Sequence, residues 1–196
     1  MLLRSMESIG LFGGSFNPVH LGHLLMALAA VQELGLSRLF FVPAAQSPFK
    51  PEAQLAPAAE RLRLLRFALA GQARYSIDDQ EIALGGTSYS IDTVKNYAAQ
   101  FPGARLWYLI GSDHAGLLPK WRSAEELATL IEFAVFARPG QNASGLPAHF
   151  RGQSLSGWAF DVSASGIRQR VRAGLPIDWL VPPAVSEAIH NNRLYL

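Results

Sequence analysis

Cysteine is absent from this 196-residue sequence. That excludes disulfides, thiolate metal sites and a cysteine nucleophile, and it agrees with a reducing compartment. No stretch reaches the roughly 18 apolar residues that a membrane-spanning helix needs, so no membrane partner is expected. The segment Met1 to Ser8 lacks a long apolar core and carries Glu7, which makes a poor signal peptide; a cytoplasmic protein is the expectation. Nor is there a block of like charge. Lys plus Arg outnumber Asp plus Glu by only 17 to 15, an excess too small to point to nucleic acid. No internal repeat and no clear linker interrupts the chain. What is present is a globular composition, 49% hydrophobic and 16% charged, rather than a disordered one. The length suits one domain, 1–196, with a small C-terminal helical part over about 163–196.

The apolar pattern alternates between short runs and helical spacing. Ile9 to Phe12 is a run that stops at Gly13-Gly14 and predicts a buried strand. Leu21, Leu24, Leu25, Leu28 and Val31 recur at helical spacing before Gly35, and Arg38 to Pro43 predicts a second strand. A strand, a helix and a strand joined by short connections make a parallel unit. Further helices are expected over Ala58 to Ala70, Ser90 to Phe101, Ser165 to Ala173 and Pro183 to Asn191. Another, from Ser123 to Leu130, has Ser123 as cap and Glu126 at the capping-box position. Strands are expected over Arg74 to Asp78, Leu106 to Ile110, Phe133 to Ala137 and Trp158 to Val162, with Gln141 to Gly157 as a loop rich in Gly, Ser and Pro. The fold class is therefore α/β, a doubly wound Rossmann-like parallel sheet. The loop from Ala44 to Pro57, which holds Lys50, is long enough to suggest a binding role.

The first strand–helix junction carries the most chemistry: Gly13-Gly14-Ser15-Phe16-Asn17-Pro18-Val19-His20-Leu21-Gly22-His23. Glycines after a strand let a ligand approach the backbone. The helix that follows offers unpaired N–H groups and a positive dipole end, suited to phosphate. His20 and His23, three apart, share a helix face, and Gly22 leaves room beside them. In an open α/β sheet the ligand crevice lies at the carboxyl ends of the strands, where this junction falls. It is neither a Walker P-loop nor the dinucleotide fingerprint. The acidic group Asp78, Asp79 and Glu81 reads as solvated rather than as a metal site, and His114 and His190 as structural or surface residues.

This junction resembles the signature of the nucleotidyltransferase superfamily with the His-x-Gly-His motif, and later segments resemble the bacterial nicotinate mononucleotide adenylyltransferase family. These are Ser47-Pro48-Phe49-Lys50, Gly86 to Thr93 with its Ser88-Tyr89-Ser90, and Gly111-Ser112-Asp113 followed by Trp121. Arg138-Pro139-Gly140, Val162 to Arg168, Val181-Pro182 and Leu194-Tyr195 complete the likeness, which runs in order along nearly the whole chain. The resemblance implies adenylyl transfer from ATP to nicotinate mononucleotide, giving deamido-NAD and pyrophosphate without a covalent enzyme intermediate. It implies that His20, His23 and Arg168 act on the ATP phosphates, with Ser163, Ser165 and Ile167 adding donors at a helix start. Gly13, Gly14 and Ser15 would line the nucleotide cleft, Lys50 would reach phosphate from its loop, and Gly111 and Asp113 would hold the adenosine ribose. Ser88, Tyr89, Ser90 and Trp121 would face the nicotinate. Mg²⁺ would ride in on the phosphates, with no protein metal cage. The resemblance leaves homo-oligomerisation open.

The chain departs from the family pattern at Asn17, often Asp; at Phe49, in place of a histidine; at Ala164, in place of a hydroxyl; and at Gly166. Alternative readings are a transferase for nicotinamide mononucleotide or phosphopantetheine, and a non-catalytic nucleotide sensor on the same fold.

Overall fold

Side chains of the central strands alternate between two apolar layers, and this alternation decides the architecture. In the strand Arg105–Gly111, Trp107 and Leu109 point into one core cluster, while Leu106, Tyr108 and Ile110 point into another. A strand apolar on both faces must be covered on both, which is the burial pattern of a parallel sheet flanked by helices. The computed structural model describes residues 7–49, 54–137, 145–158 and 161–196.

Among these, β1 (Ser8–Gly14), β2 (Arg38–Pro43), β3 (Tyr75–Ile77), β4 (Arg105–Gly111), β5 (Glu132–Phe136) and β6 (Gly152–Leu155) form one sheet ordered β3-β2-β1-β4-β5-β6. Every neighbouring pair is parallel. The strand order reverses between β1 and β4, so a crevice opens at their carboxyl ends. Helices α1 (Leu21–Glu33), α2 (Ala58–Leu69), α7 (Ala164–Arg172) and α8 (Pro183–Asn191) contribute to the first core cluster. From the other layer, α4 (Ser90–Gln100) and α6 (Ala124–Leu130) contribute to the second. Short helices α3 (Gln80–Leu84) and α5 (Ser112–Ala115) lie in the connections. Phe41, Leu64, Leu109 and Phe133 are almost wholly enclosed; burying each such side chain is worth roughly 1.5–3 kcal/mol. No helix among the described residues is long and apolar enough to cross a membrane.

The expected α/β sheet is found, and β2 and α8 have the expected bounds. Two local expectations need correction. The sixth strand is Gly152–Leu155, within the segment expected to be a loop; Trp158, Asp161 and Val162 are not in a strand, and 159–160 lie outside the described residues. Its residues are mostly exposed and only Leu155 is buried, so backbone pairing along β5, not an apolar pattern, makes it a strand. Ser123 precedes α6 but makes no side-chain cap bond, because its backbone is left-handed at φ 52°. No element is expected from the sequence at α3 or α5, which span 5 and 4 residues, too short to show a helical period.

Candidate active site

The turn after β1 is shaped by one ring. Phe16 takes a left-handed φ of 44° and is 1% exposed. Its ring packs edge-on against Phe12 at 5.5 Å and against His23 at 5.0 Å. A non-glycine residue at positive φ is strained unless its surroundings hold it there, and here three aromatic neighbours do so. Gly13 is required by its partner strand: a Cβ there would lie 2.1 Å from the Tyr108 hydroxyl oxygen.

Two polar residues fasten this turn to its surroundings. The Asn17 side chain accepts from the Ala56 N–H at 3.1 Å and donates to the Gln54 carbonyl at 3.4 Å. The Arg61 guanidinium, 2% exposed, donates to the carbonyls of Ser15 and Ala44, each at 2.8 Å, and Ala56, at 3.2 Å. A planar fork can serve several fixed carbonyls at once, so Arg61 joins the chain segments leaving β1 and β2.

His20 caps α1, and its backbone N–H donates to Nδ1 of His23 at 3.2 Å. The two rings lie 3.8 Å apart between centroids. Burial lowers the His20 pKa from 6.5 to about 4. Burial, and then the field of His20, hold His23 well below the usual imidazole range. Both rings are therefore neutral at pH 7. With Nδ1 of His23 accepting, its proton sits on Nε2, where it is available as a donor. Gly22 leaves space for this pairing: a Cβ would lie 3.0 Å from Nδ1 of His20 and would press the ring aside by a few tenths of an ångström.

From the far end of the sequence, α7 closes the same space. Ser163 is its N-cap, and its hydroxyl oxygen accepts from the Gly166 N–H at 3.1 Å. The Ser165 hydroxyl is 3.2 Å away. Arg168 donates through Nη1 to the Asn17 carbonyl at 2.8 Å, a bond that spans 151 positions. Ile167 departs from expectation: its side chain is in the core and its N–H donates to the Ser163 carbonyl at 3.0 Å. It contributes to holding the helix start rather than to the cleft.

Across the sheet edge lies a second group. Ser88 accepts from the Ala45 N–H at 2.9 Å through its hydroxyl and donates its own N–H to the Gln46 carbonyl at 2.8 Å. The Ser90 hydroxyl donates to the Tyr108 hydroxyl at 2.9 Å. Burial, reinforced by the nearby Glu81 carboxylate, raises the Tyr108 pKa, so its hydroxyl keeps its proton. Trp121 sits among Phe49, Tyr108, His114 and Phe133, with ring centroids 5.8–6.3 Å away, and its indole N–H is buried without a hydrogen-bond partner. Glu81 is not solvated as expected. It is 8% exposed, accepts from the Thr93 hydroxyl at 2.5 Å and has a raised pKa, chiefly from burial.

These groups line one open cleft of about 960 Å³ that crosses the carboxyl edge of the sheet. Of the residues singled out in the sequence, His20, His23, Arg168, Gly13, Gly14, Ser15, Gly111, Asp113, Ser163, Ser165, Ser88, Tyr89, Ser90 and Trp121 all line it. Lys50 and Arg138-Pro139-Gly140 lie outside the described residues. Sequence reasoning missed Tyr108, Glu81 and Trp158 on the cleft wall, and Arg61 behind it. Among the described residues no group of three or more His, Asp or Glu side chains could hold a metal ion. His20, His23, Arg168 and the serine-lined start of α7 make an anion cradle, with an aromatic and hydroxyl-bearing wall on one side that Lys120 and Arg122 also line.

A family profile described as cytidylyltransferase-like matches residues 11–170. A protein of Shouchella clausii named "Probable nicotinate-nucleotide adenylyltransferase" is 39% identical, over 97% of each chain. One of the same name from Herpetosiphon aurantiacus is 36% identical, over 97% of this chain and 100% of its own. Among solved structures, nicotinic acid mononucleotide adenylyltransferase of Plasmodium falciparum, complexed with NaAD, superposes with a TM-score of 0.79. At 18% identity, over 96% of this chain and 97% of that one, this likeness concerns the fold.

Proposed function

The chain belongs to the cytidylyltransferase-like family, and from that premise we propose that it is a nicotinate-nucleotide adenylyltransferase. It joins nicotinate mononucleotide to the adenylyl group of ATP. The observation that carries this reading is the convergence of His20, His23 and Arg168 on one cleft that Trp121 and Ser90 also line.

A phosphate oxygen of the mononucleotide attacks the α-phosphorus of ATP. The bond from that phosphorus to the bridging oxygen breaks, and pyrophosphate leaves with the electron pair. No protein nucleophile is needed, so the task of the chain is to position the two phosphates and to balance the charge that develops on them. Neutral His23 donates from Nε2, His20 donates beside it, and Arg168 faces the leaving phosphates with the N–H groups that Asn17 does not occupy. The hydroxyls of Ser163 and Ser165 add donors at the start of α7. Gly111 and Asp113 face the ribose. A tryptophan face suits the cationic pyridinium ring, which assigns Trp121 to the nicotinate, while Tyr89 and Ser90 face its carboxylate. Mg²⁺ carried by the phosphates would offset their charge.

The test is pyrophosphate release with ATP and Mg²⁺ and, in turn, nicotinate mononucleotide, nicotinamide mononucleotide and phosphopantetheine. The nicotinate compound should give the highest kcat/KM. Turnover with phosphopantetheine alone would overturn the reading.

A further inference from the structure

The cleft has a second aromatic wall that the roles above leave unused. Past Gly22 it continues to Met26, Phe136, Ser156, Gly157 and Trp158. This end belongs to the layer of α1: Gly157 lies where a Cβ would be 3.5 Å from the Phe136 ring and 3.6 Å from the Ala29 Cβ. Trp121, by contrast, packs against the opposite layer. The cleft thus has a tryptophan toward each helical layer, and the histidines and Arg168 line the same space.

The backbone that presents Trp158 is tethered from a distance. Glu33, the last residue of α1, accepts from the N–H of Ser156 through one carboxylate oxygen and from the N–H of Gly157 through the other, both at 2.9 Å. These bonds link residues 123 and 124 positions apart. Bonds to an ionised acceptor are the stronger class, and a carboxylate set on two successive N–H groups fixes the direction of the peptide. Gly157 accepts the resulting φ of 48°. Trp158, however, remains 53% exposed, whereas Trp107 in the core is 2% exposed. More than half of this indole stays accessible on the cleft wall, on a backbone whose preceding residues the Glu33 carboxylate holds.

We propose that Trp158 is the stacking surface for the adenine of ATP, and that Glu33 is the positioning residue that holds it there. This rests on the transfer reading. Once the triphosphate lies on His20, His23 and Arg168 and the pyridine on Trp121, the base is left with the end of the cleft toward α1. The chemistry fits: Met26 and Phe136 give apolar walls, a flat base stacks on an indole whatever its pairing edge, and Asp161, which also lines the cleft, has a carboxylate that can accept from an exocyclic amine.

Steady-state kinetics on the full chain test it, with ATP and nicotinate mononucleotide varied separately and inorganic tripolyphosphate as a base-free competitor of ATP. Trp158→Ala should raise the KM for ATP about tenfold, with the KM for the mononucleotide, kcat and the Ki of tripolyphosphate unchanged. Trp158→Phe should restore most of the loss. Glu33→Gln, which keeps only one acceptor oxygen, should shift the ATP KM in the same direction by less. An unchanged ATP KM in Trp158→Ala, or an equal loss for ATP and tripolyphosphate, would overturn the proposal while leaving the transfer reading intact. If the wild-type chain released no pyrophosphate, the transfer reading would fall. Calorimetric titration with ATP would then decide Trp158: weaker binding by the alanine variant supports the platform, and equal binding removes it.

Discussion

The backbone N–H of His20 points at Nδ1 of His23, 3.2 Å away, and this one bond decides where the proton of the second imidazole resides. Nδ1 must accept, so the neutral ring carries its hydrogen on Nε2. Burial keeps both rings neutral, which makes them donors that add no fixed positive charge to the cleft.

Acid should therefore destabilise the fold through these rings. His20 has a folded pKa of about 4 against 6.5 when solvated. Between those values the unfolded chain binds a proton that the native chain refuses, so stability falls as pH falls through that window. The full difference is on the order of 3 kcal/mol for His20. Glu81, whose pKa is raised, acts in the opposite sense. Comparison with His20→Gln isolates the imidazole: urea unfolding at pH 7 and pH 5 should show a smaller acid loss in the variant than in the wild type.

His20→Ala should lower kcat by on the order of 10²–10³, the usual cost of removing a donor aimed at developing charge. Pyrophosphate release at saturating substrates measures it. Full turnover in the variant would remove His20 from the charge-stabilising role.

Gly13 and Tyr108 should be coupled. Gly13→Ala places a methyl 2.1 Å from the tyrosine hydroxyl, and overpacking of this kind costs about 1–3 kcal/mol. Tyr108→Phe removes the oxygen and leaves the ring carbon 3.0 Å away, so the double variant should recover part of the loss but not all of it. A thermodynamic cycle from urea midpoints gives the coupling; strict additivity would show that the ring moves aside freely.

Arg61→Leu should destabilise by at least ~2 kcal/mol, because the carbonyls of Ser15, Ala44 and Ala56 lose their shared donor. Arg61→Lys should recover little, since a point ammonium lacks the fork. Unfolding midpoints test stability. The KM for ATP should rise in both variants, because Ser15 is on the cleft wall.

Much of this molecule was legible because β1, β2 and β4 are short apolar runs that end at glycine or proline. Ile9 to Phe12 and Arg38 to Pro43 announce themselves, and the His20–Gly22–His23 spacing has an evident phosphate chemistry. Other parts depend on partners that spacing cannot reveal. Glu81 lies close to Asp78 and Asp79, a grouping that looks solvated, until Thr93 supplies a hydroxyl and the fold removes water. Arg61 stands in a run with Arg63 and Arg66, and nothing local tells the buried one from its neighbours. The β6 segment Gly-Gln-Ser-Leu has no apolar alternation, and only pairing with β5 makes it extended. Trp158 could not be told from a packing tryptophan before the Glu33 tether to the preceding residues was seen.

The bond from Arg168 to the Asn17 carbonyl also bears on biosynthesis. A chain emerging from the ribosome presents Asn17 and the imidazoles first, and the guanidinium that bonds the Asn17 carbonyl follows 151 positions later. Until then the nascent protein holds half a cradle, and triphosphate capture of the kind proposed begins only once α7 has been made.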